Sequence, residues 1–228
     1  MSQTVGSQRL LQLAVQHAHE ILNLPLYAAL GLPSGIDIDW RSPLSADGFK
    51  EYRDEEALRQ LGVSLNVLSL RDFWPARGPV WDGLARTSAG DVILLEAKAH
   101  IAELASPPTK AGQDSLKKIA AAFQMVRAEI APRSSSSWTS TFYQYANRLA
   151  FLYLLRKNGV PAHLVHVMFL NATDVEGPRT IAEWQGALEL LRSALGLRNH
   201  SLKPFVHELY IDSSELLIHA ARPQGGLT

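Results

Sequence analysis

The sequence predicts an α/β protein in which a central mixed sheet of about five strands is flanked by helices. Apolar residues recur at helical spacing in five segments and at strand spacing in five others. Helical and strand segments are interspersed along the chain, which is typical of helices packed on the faces of a sheet. The 228 residues are 46% hydrophobic, enough to bury a sizeable core, and we predict a single domain over residues 1–228.

Two helices are predicted before the first strand. Apolar residues at helical spacing indicate a helix over residues 7–23 that ends near Pro25. A second helix is predicted over residues 45–61, with Ser45 as its N-cap and Gly62 as its C-terminal stop.

The remaining elements begin with three strands, over residues 64–70, 79–86 and 91–99. The turn-like sequence 87–90 is expected to join the last two as a hairpin. Two helices, a strand, a helix and a strand follow, over residues 113–130, 139–157, 163–170, 181–195 and 204–211.

Composition excludes several classes of protein. Lys and Arg number 22 against 22 Asp and Glu, so the chain does not coat nucleic acid or membrane by bulk charge. Cysteine is absent, which excludes disulfides and zinc–thiolate sites. No apolar run approaches the ~20 residues of a membrane span, and the N-terminus lacks a signal-peptide pattern. We therefore expect a cytoplasmic protein without a membrane partner.

The strand over residues 91–99 carries unusual chemistry. With a side-chain period of two, Glu96, Lys98 and His100 share a face with Val92 and Leu94. Burial of a charge is costly unless it is paired, so these polar residues are either used or lie where the strand emerges into solvent.

Asp82 favours a functional interpretation. It lies 14 positions before Glu96 (96 − 82), on the strand that the hairpin turn folds back, so the two carboxylates can meet beside Lys98. Two adjacent carboxylates repel each other unless a cation lies between them, and hard oxygen ligands suit Mg²⁺ or Mn²⁺. A neighbouring lysine can orient or deprotonate a water. The sequence therefore predicts a phosphodiester hydrolysis site.

These residues resemble the PD-(D/E)xK nuclease superfamily, which has the restriction-endonuclease-like fold. The matching segments are Pro-Val-Trp-Asp at 79–82 and Glu-Ala-Lys at 96–98, although two residues separate the proline from Asp82. The resemblance implies an αβββαβ core over about residues 45–170, with an extra N-terminal helix and a C-terminal helix and strand. It also implies that Asp82 and Glu96 bind the metal and that Lys98 is the catalytic lysine.

The resemblance implies further site residues. Many members place an acid on the first core helix, for which Glu51 is the first candidate and Glu55 the second. Some add a glutamine on a later helix, which Gln144 matches loosely. Arg71 and Arg77 precede Asp82 in a loop with two tryptophans, where they either grip a phosphate or belong to a structural plug.

Two functions remain open from the sequence. The first is a Mg²⁺- or Mn²⁺-dependent endonuclease that acts on DNA, and a homodimer would let it cut both strands. The second is a nuclease-like fold without catalysis that serves as a binding or assembly module. An unrelated α/β protein whose Glu-x-Lys is a surface ion pair would instead hold Asp82 far from Glu96.

Overall fold

The computed structural model describes residues 6–221, which form one five-stranded mixed sheet flanked by eight α-helices, and the predicted fold class is confirmed. The strands are β1 (Ile38–Ser42), β2 (Gly83–Thr87), β3 (Val92–Lys98), β4 (Ala162–Leu170) and β5 (Val206–Asp212). The helices are α1 (Ser7–His17), α2 (His19–Leu30), α3 (Asp54–Leu61), α4 (Leu70–Phe73), α5 (Gln113–Ile130), α6 (Tyr143–Lys157), α7 (Ile181–Leu195) and α8 (Ser213–Ala220).

The strands lie in the order in which they occur along the chain. The pairs β1–β2 and β2–β3 are antiparallel, whereas β3–β4 and β4–β5 are parallel. A parallel pair needs a long crossover connection, which α5 and α6 provide before β4 and α7 provides before β5. The predicted hairpin of two strands before α5 is present as β2 and β3.

Both faces of the sheet carry apolar residues that pack against helices. Val92 and Leu94 belong to a core that includes residues of α5, α6 and α7, while Ile93 and Leu95 belong to a second core with α1, α2 and α8. The predicted alternation of side chains along β3 is therefore confirmed. Helix α6 is buried at every position from Tyr145 to Leu155, because it lies between the sheet and other elements of the first core.

The predicted strand over residues 64–70 is wrong. The chain bends there, and Asn158 holds the bend because its Oδ1 accepts from the N–H groups of Val67 (2.7 Å) and Leu68 (3.1 Å). Ser69 then caps α4 by accepting from the N–H of Asp72. The third strand of the antiparallel part is instead β1, which precedes α3 and was not predicted from the sequence.

Three predicted helix boundaries also differ. The second helix begins at Asp54 rather than Ser45, because left-handed Gly48 ends a single 3₁₀ turn and Tyr52 bridges to Trp81. Pro25 does not end a helix but lies inside α2, and the break falls at Ala18, whose φ is −143°. Helix α6 begins at residue 143 rather than 139. No helix within residues 6–221 combines the length and the apolar character that a membrane span requires.

Candidate functional site

The structure brings Asp82 and Glu96 together across the β2–β3 hairpin. Gly83 pairs with Leu95, so Asp82 lies one position further out, level with Glu96. Asp82 Oδ2 accepts a hydrogen bond from the backbone N–H of Ala97 at 2.8 Å. The two carboxylates predicted to meet are therefore neighbours, which excludes a distant Glu-x-Lys surface ion pair.

Local packing fixes the position of Asp82. The preceding residue, Trp81, is 1% exposed, and its backbone N–H donates to the carbonyl of Tyr52 at 3.0 Å. The following residue, Gly83, lies so close to β3 that an added Cβ would stand 3.3 Å from Leu95 Cβ. Asp82 is thus held between a buried indole and a strand position that favours glycine.

Glu96 is 2% exposed, and both of its oxygens are paired. Lys98 Nζ donates to Glu96 Oε1 at 2.5 Å, and Arg148 Nε on α6 donates to Glu96 Oε2 at 2.6 Å. Such charge-assisted hydrogen bonds offset the cost of burying the carboxylate. Glu96, Lys98 and Asp82 therefore form one cluster with Arg148, in which two negative and two positive groups balance when all four are ionised.

Arg148 connects the two segments that carry the predicted site. Its Nη2 donates to the carbonyl of Val80 at 2.7 Å, its Nη1 donates to Asn147 Oδ1 at 3.0 Å, and its guanidinium lies 4.8 Å from the Trp81 ring centroid. Arg148 was not among the site residues predicted from the sequence. The available signal was a charged residue four positions after Gln144, followed directly by seven hydrophobic residues from Leu149 to Leu155.

The charges of the cluster follow from burial and from these neighbours. Burial, and next the charge of Glu96, raises the pKa of Asp82 to about 7. Burial also acts to raise the pKa of Glu96, but Arg148 and Lys98 outweigh it and lower that pKa to about 2. Burial acts to lower the pKa of Lys98, and Glu96 and Asp82 outweigh it, so the net shift is upward. Lys98 is therefore an ammonium that donates hydrogen bonds, and Asp82 is the group that titrates near neutral pH.

An open cleft of about 990 Å³ adjoins this cluster. Asp82 and Lys98 line it, together with the predicted residues Glu51, Gln144 and Arg77. Glu51 lies in the extended segment before α3 rather than on a helix, and its Oε1 accepts from Gln8 Nε2 at 2.8 Å.

Two predicted candidates lie elsewhere. Glu55 is exposed on α3, and Arg71 is exposed on α4, where its carbonyl accepts from Lys118 Nζ. Neither residue lines the cleft.

His166 extends the cluster across the sheet. It pairs with Glu96 in the β3–β4 register, and its ring stacks on Tyr145 with centroids 4.9 Å apart. Burial lowers the pKa of His166 to about 3, so the imidazole is neutral. Its Nε2 is buried without a hydrogen-bond partner among the described residues, beside a small cavity of about 10 Å³ that Glu96 and Lys98 also line. That volume is about the space one water requires.

The donor set fits a hard divalent cation. Mg²⁺ commonly binds proteins through one or two carboxylates and keeps several waters. Asp82 Oδ1 makes no hydrogen bond within the described structure, and each oxygen of Glu96 keeps a second lone pair besides its ion pair. Residues 6–221 contain no group of three or more His, Cys, Asp or Glu side chains arranged to hold a metal. A metal here would therefore depend on Asp82 and Glu96.

Comparison with known proteins does not identify a relative. No protein-family model, curated protein or solved structure matches the chain. The resemblance to PD-(D/E)xK nucleases therefore stays a prediction from the sequence, made from Asp82, Glu96 and Lys98.

Proposed function

We propose that this protein hydrolyses phosphodiester bonds in a reaction that depends on Mg²⁺ or Mn²⁺, with DNA as its substrate. One observation carries the proposal. Asp82 and Glu96 are neighbours across a hairpin, with Lys98 bonded to Glu96, beside a large open cleft that Asp82 and Lys98 line. Adjacent carboxylates with a lysine are the groups that metal-assisted phosphate hydrolysis uses.

Each residue has a role that its position supports. Asp82 and Glu96 would hold the metal, which, when bound, supplies a Lewis acid for the phosphate and a more acidic water. Lys98 is kept protonated by Glu96, so its ammonium donates to the attacking water or to a phosphate oxygen rather than acting as a base. The half-buried Gln144 lines the same cleft and offers an amide to the substrate.

Nucleic acid is the substrate class that the cleft favours. Arg77 and Lys110 line it, and the side chain of neither makes an ion pair or hydrogen bond within residues 6–221. Unpaired cations beside a metal site suit the phosphates that flank a scissile bond. The zero net charge of the chain is compatible with such a local site, because only the cleft needs to attract phosphate.

The direct experiment incubates the protein with plasmid and linear DNA in Mg²⁺, in Mn²⁺ and in chelator. We expect cleavage only with metal, and its loss in Lys98→Ala and in Asp82→Ala. Arg71→Ala is the matched control, because Arg71 lies outside the cleft. Metal-dependent cleavage that persists in both site variants would contradict the assignment of the site.

A second candidate function is a nuclease-like module that binds or assembles without catalysis. The observation in its favour is that Lys98 and Arg148 already pair both oxygens of Glu96, which balances its charge without a metal. Titration calorimetry with Mn²⁺ separates the two functions. If the protein is a nuclease, we expect heat of Mn²⁺ binding that disappears in Asp82→Ala. If it is a non-catalytic module, we expect no heat of Mn²⁺ binding in either protein.

The proposal includes a location and an assembly. We propose that the protein acts in the cytoplasm, and that a two-fold homodimer would present one cleft to each strand of a duplex. Sedimentation velocity of the protein alone and with duplex DNA tests the dimer, because a monomer in both samples would contradict it.

A further inference from the structure

Two residues at one side of the cleft, Arg77 in its lining and Asp54 behind Arg77, have unusual backbone conformations. Asp54, the first residue of α3, has a φ of +51°, and Arg77, in the loop between α4 and β2, has a φ of +66°. Neither is glycine, so each side chain is crowded against its own backbone in the left-handed region. Strained conformations of this kind persist only where surrounding contacts enforce them, and they concentrate at functional sites.

The carboxylate of Asp54 is the contact that enforces this conformation. Its Oδ2 accepts from the N–H of Arg77 at 3.0 Å, and its Oδ1 accepts from the N–H of Gly78 at 2.8 Å. The fit is close, because a Cβ added to Gly78 would lie 2.6 Å from Asp54 Oδ1 and 2.9 Å from Phe151 Cζ. Asp54 therefore binds two successive amides and fixes the backbone of Arg77.

The side chain of Arg77 is the group that this arrangement presents. Arg77 is exposed, lines the cleft together with Asp82 and Lys98, and has no side-chain partner among the described residues. The loop that carries Arg77 is anchored by Trp74, which is buried. The Trp74 ring centroid lies 5.5 Å from that of Phe151 and 5.3 Å from that of Phe123. A fixed backbone with an unpaired guanidinium beside two candidate site residues is an arrangement that suits an anion.

We propose that Asp54 is a positioning residue that holds Arg77 to bind a phosphate of the nucleic acid strand beside the scissile phosphate. This proposal rests on the proposed function, because it assigns the substrate contact of the same cleft. The ligand is the phosphodiester backbone rather than a base edge, so Arg77 adds affinity without sequence preference. Arg71, six residues earlier, is also exposed but does not line the cleft and has no such role.

The test measures DNA binding without cleavage. Fluorescence anisotropy with a labelled single-stranded DNA and a labelled duplex is recorded in EDTA over a range of salt concentrations. The affinity falls as salt rises, and loss of one phosphate contact reduces the magnitude of the slope of log K against log salt by about 0.7 for single strands and about 0.9 for duplex. We expect that decrease for Arg77→Ala and no change for Arg71→Ala.

Asp54→Asn is the decisive variant. Removal of a negative charge alone would strengthen binding to DNA. An asparagine can accept from only one of the two N–H groups of Arg77 and Gly78, and loss of the other hydrogen bond is expected to weaken binding several-fold. In the Arg77→Ala background the same substitution is expected to cause no weakening, because Asp54 acts through Arg77. Unchanged melting temperatures and circular dichroism spectra establish that the variants remain folded.

Other outcomes overturn the inference. It fails if Arg77→Ala leaves the salt slope unchanged, if Asp54→Asn weakens binding equally without Arg77, or if the unmodified protein binds neither DNA. A parallel cleavage assay in Mg²⁺ keeps the two proposals separate. Cleavage with an unchanged salt slope in Arg77→Ala retains the proposed nuclease and rejects the role of Arg77. The expected slope changes without cleavage retain the role of Arg77 in binding DNA and reject the nuclease.

Discussion

Asp82→Asn is expected to make the protein more stable at pH 8 and to have little effect near pH 4. In the folded protein the pKa of Asp82 is raised from 3.8 to about 7, chiefly by burial and then by Glu96. A carboxyl group with a raised pKa contributes most to stability when it is protonated. That contribution is complete below pH 4 and is lost as the pH rises from about 4 to 7.

The magnitude follows from the shift. One pKa unit corresponds to about 1.4 kcal/mol, so a rise from 3.8 to about 7 amounts to about 4 kcal/mol at pH 8. An asparagine cannot ionise, and its amide oxygen can still accept from the N–H of Ala97. The variant should therefore exceed the unmodified protein by up to about 4 kcal/mol at pH 8, with the difference closing towards pH 4.

Urea unfolding at several pH values in chelator measures this difference. Asp114→Asn is the control, because the Asp114 side chain is 99% exposed. A difference that does not vary with pH, or an unmodified protein more stable than the variant at pH 8, would refute the reasoning. Mg²⁺ at a thousand times its dissociation constant should add about 4 kcal/mol to the unmodified protein and nothing to the variant.

Three further changes probe the packing around the site and the helices. Arg148→Met leaves Glu96 buried beside one cation, so urea unfolding should show a free energy of unfolding lower by about 3–5 kcal/mol. Adding Glu96→Gln to this variant should recover part of the loss. Thr180→Ala removes the capping box of α7 and should cost about 1 kcal/mol, seen as a lower thermal midpoint. Gly78→Ala should lower the free energy of unfolding by about 1–3 kcal/mol, because the Cβ of the alanine would have no room. Gly186→Ala, in open space on α7, should raise it by about 0.5–1 kcal/mol. Equal effects at both positions would contradict the packing argument.

The elements that the sequence predicted best are those whose pattern reports their own burial. Helices α5 and α7 begin and end at the predicted residues, since their apolar stripes are long and their ends are marked by local signals. The hairpin was predicted because β3 alternates between two cores and a turn precedes it. These are local properties that one stretch of sequence contains in full.

The errors arose where distant contacts decide the structure. Residues 64–70 have a strand-like composition. Asn158, 91 positions after Val67, accepts from the N–H groups of Val67 and Leu68, so these groups need no strand partner. The cluster at Glu96 was predicted through Asp82 and Lys98, which lie on the same hairpin. Arg148 was missed because it is 52 positions away from Glu96 and only the packing of α6 brings it there.

The position of β5 has a consequence for any shortened form of this protein. The resemblance to nucleases implied a core that ends near residue 170, yet β4 pairs with β5 along Leu164–Leu170 and is almost wholly buried. A chain cut after β4 would expose a row of unpaired amides and carbonyls on a hydrophobic strand. Such a strand recruits copies of itself, so the fragment should aggregate on expression even though every residue of the hairpin is present.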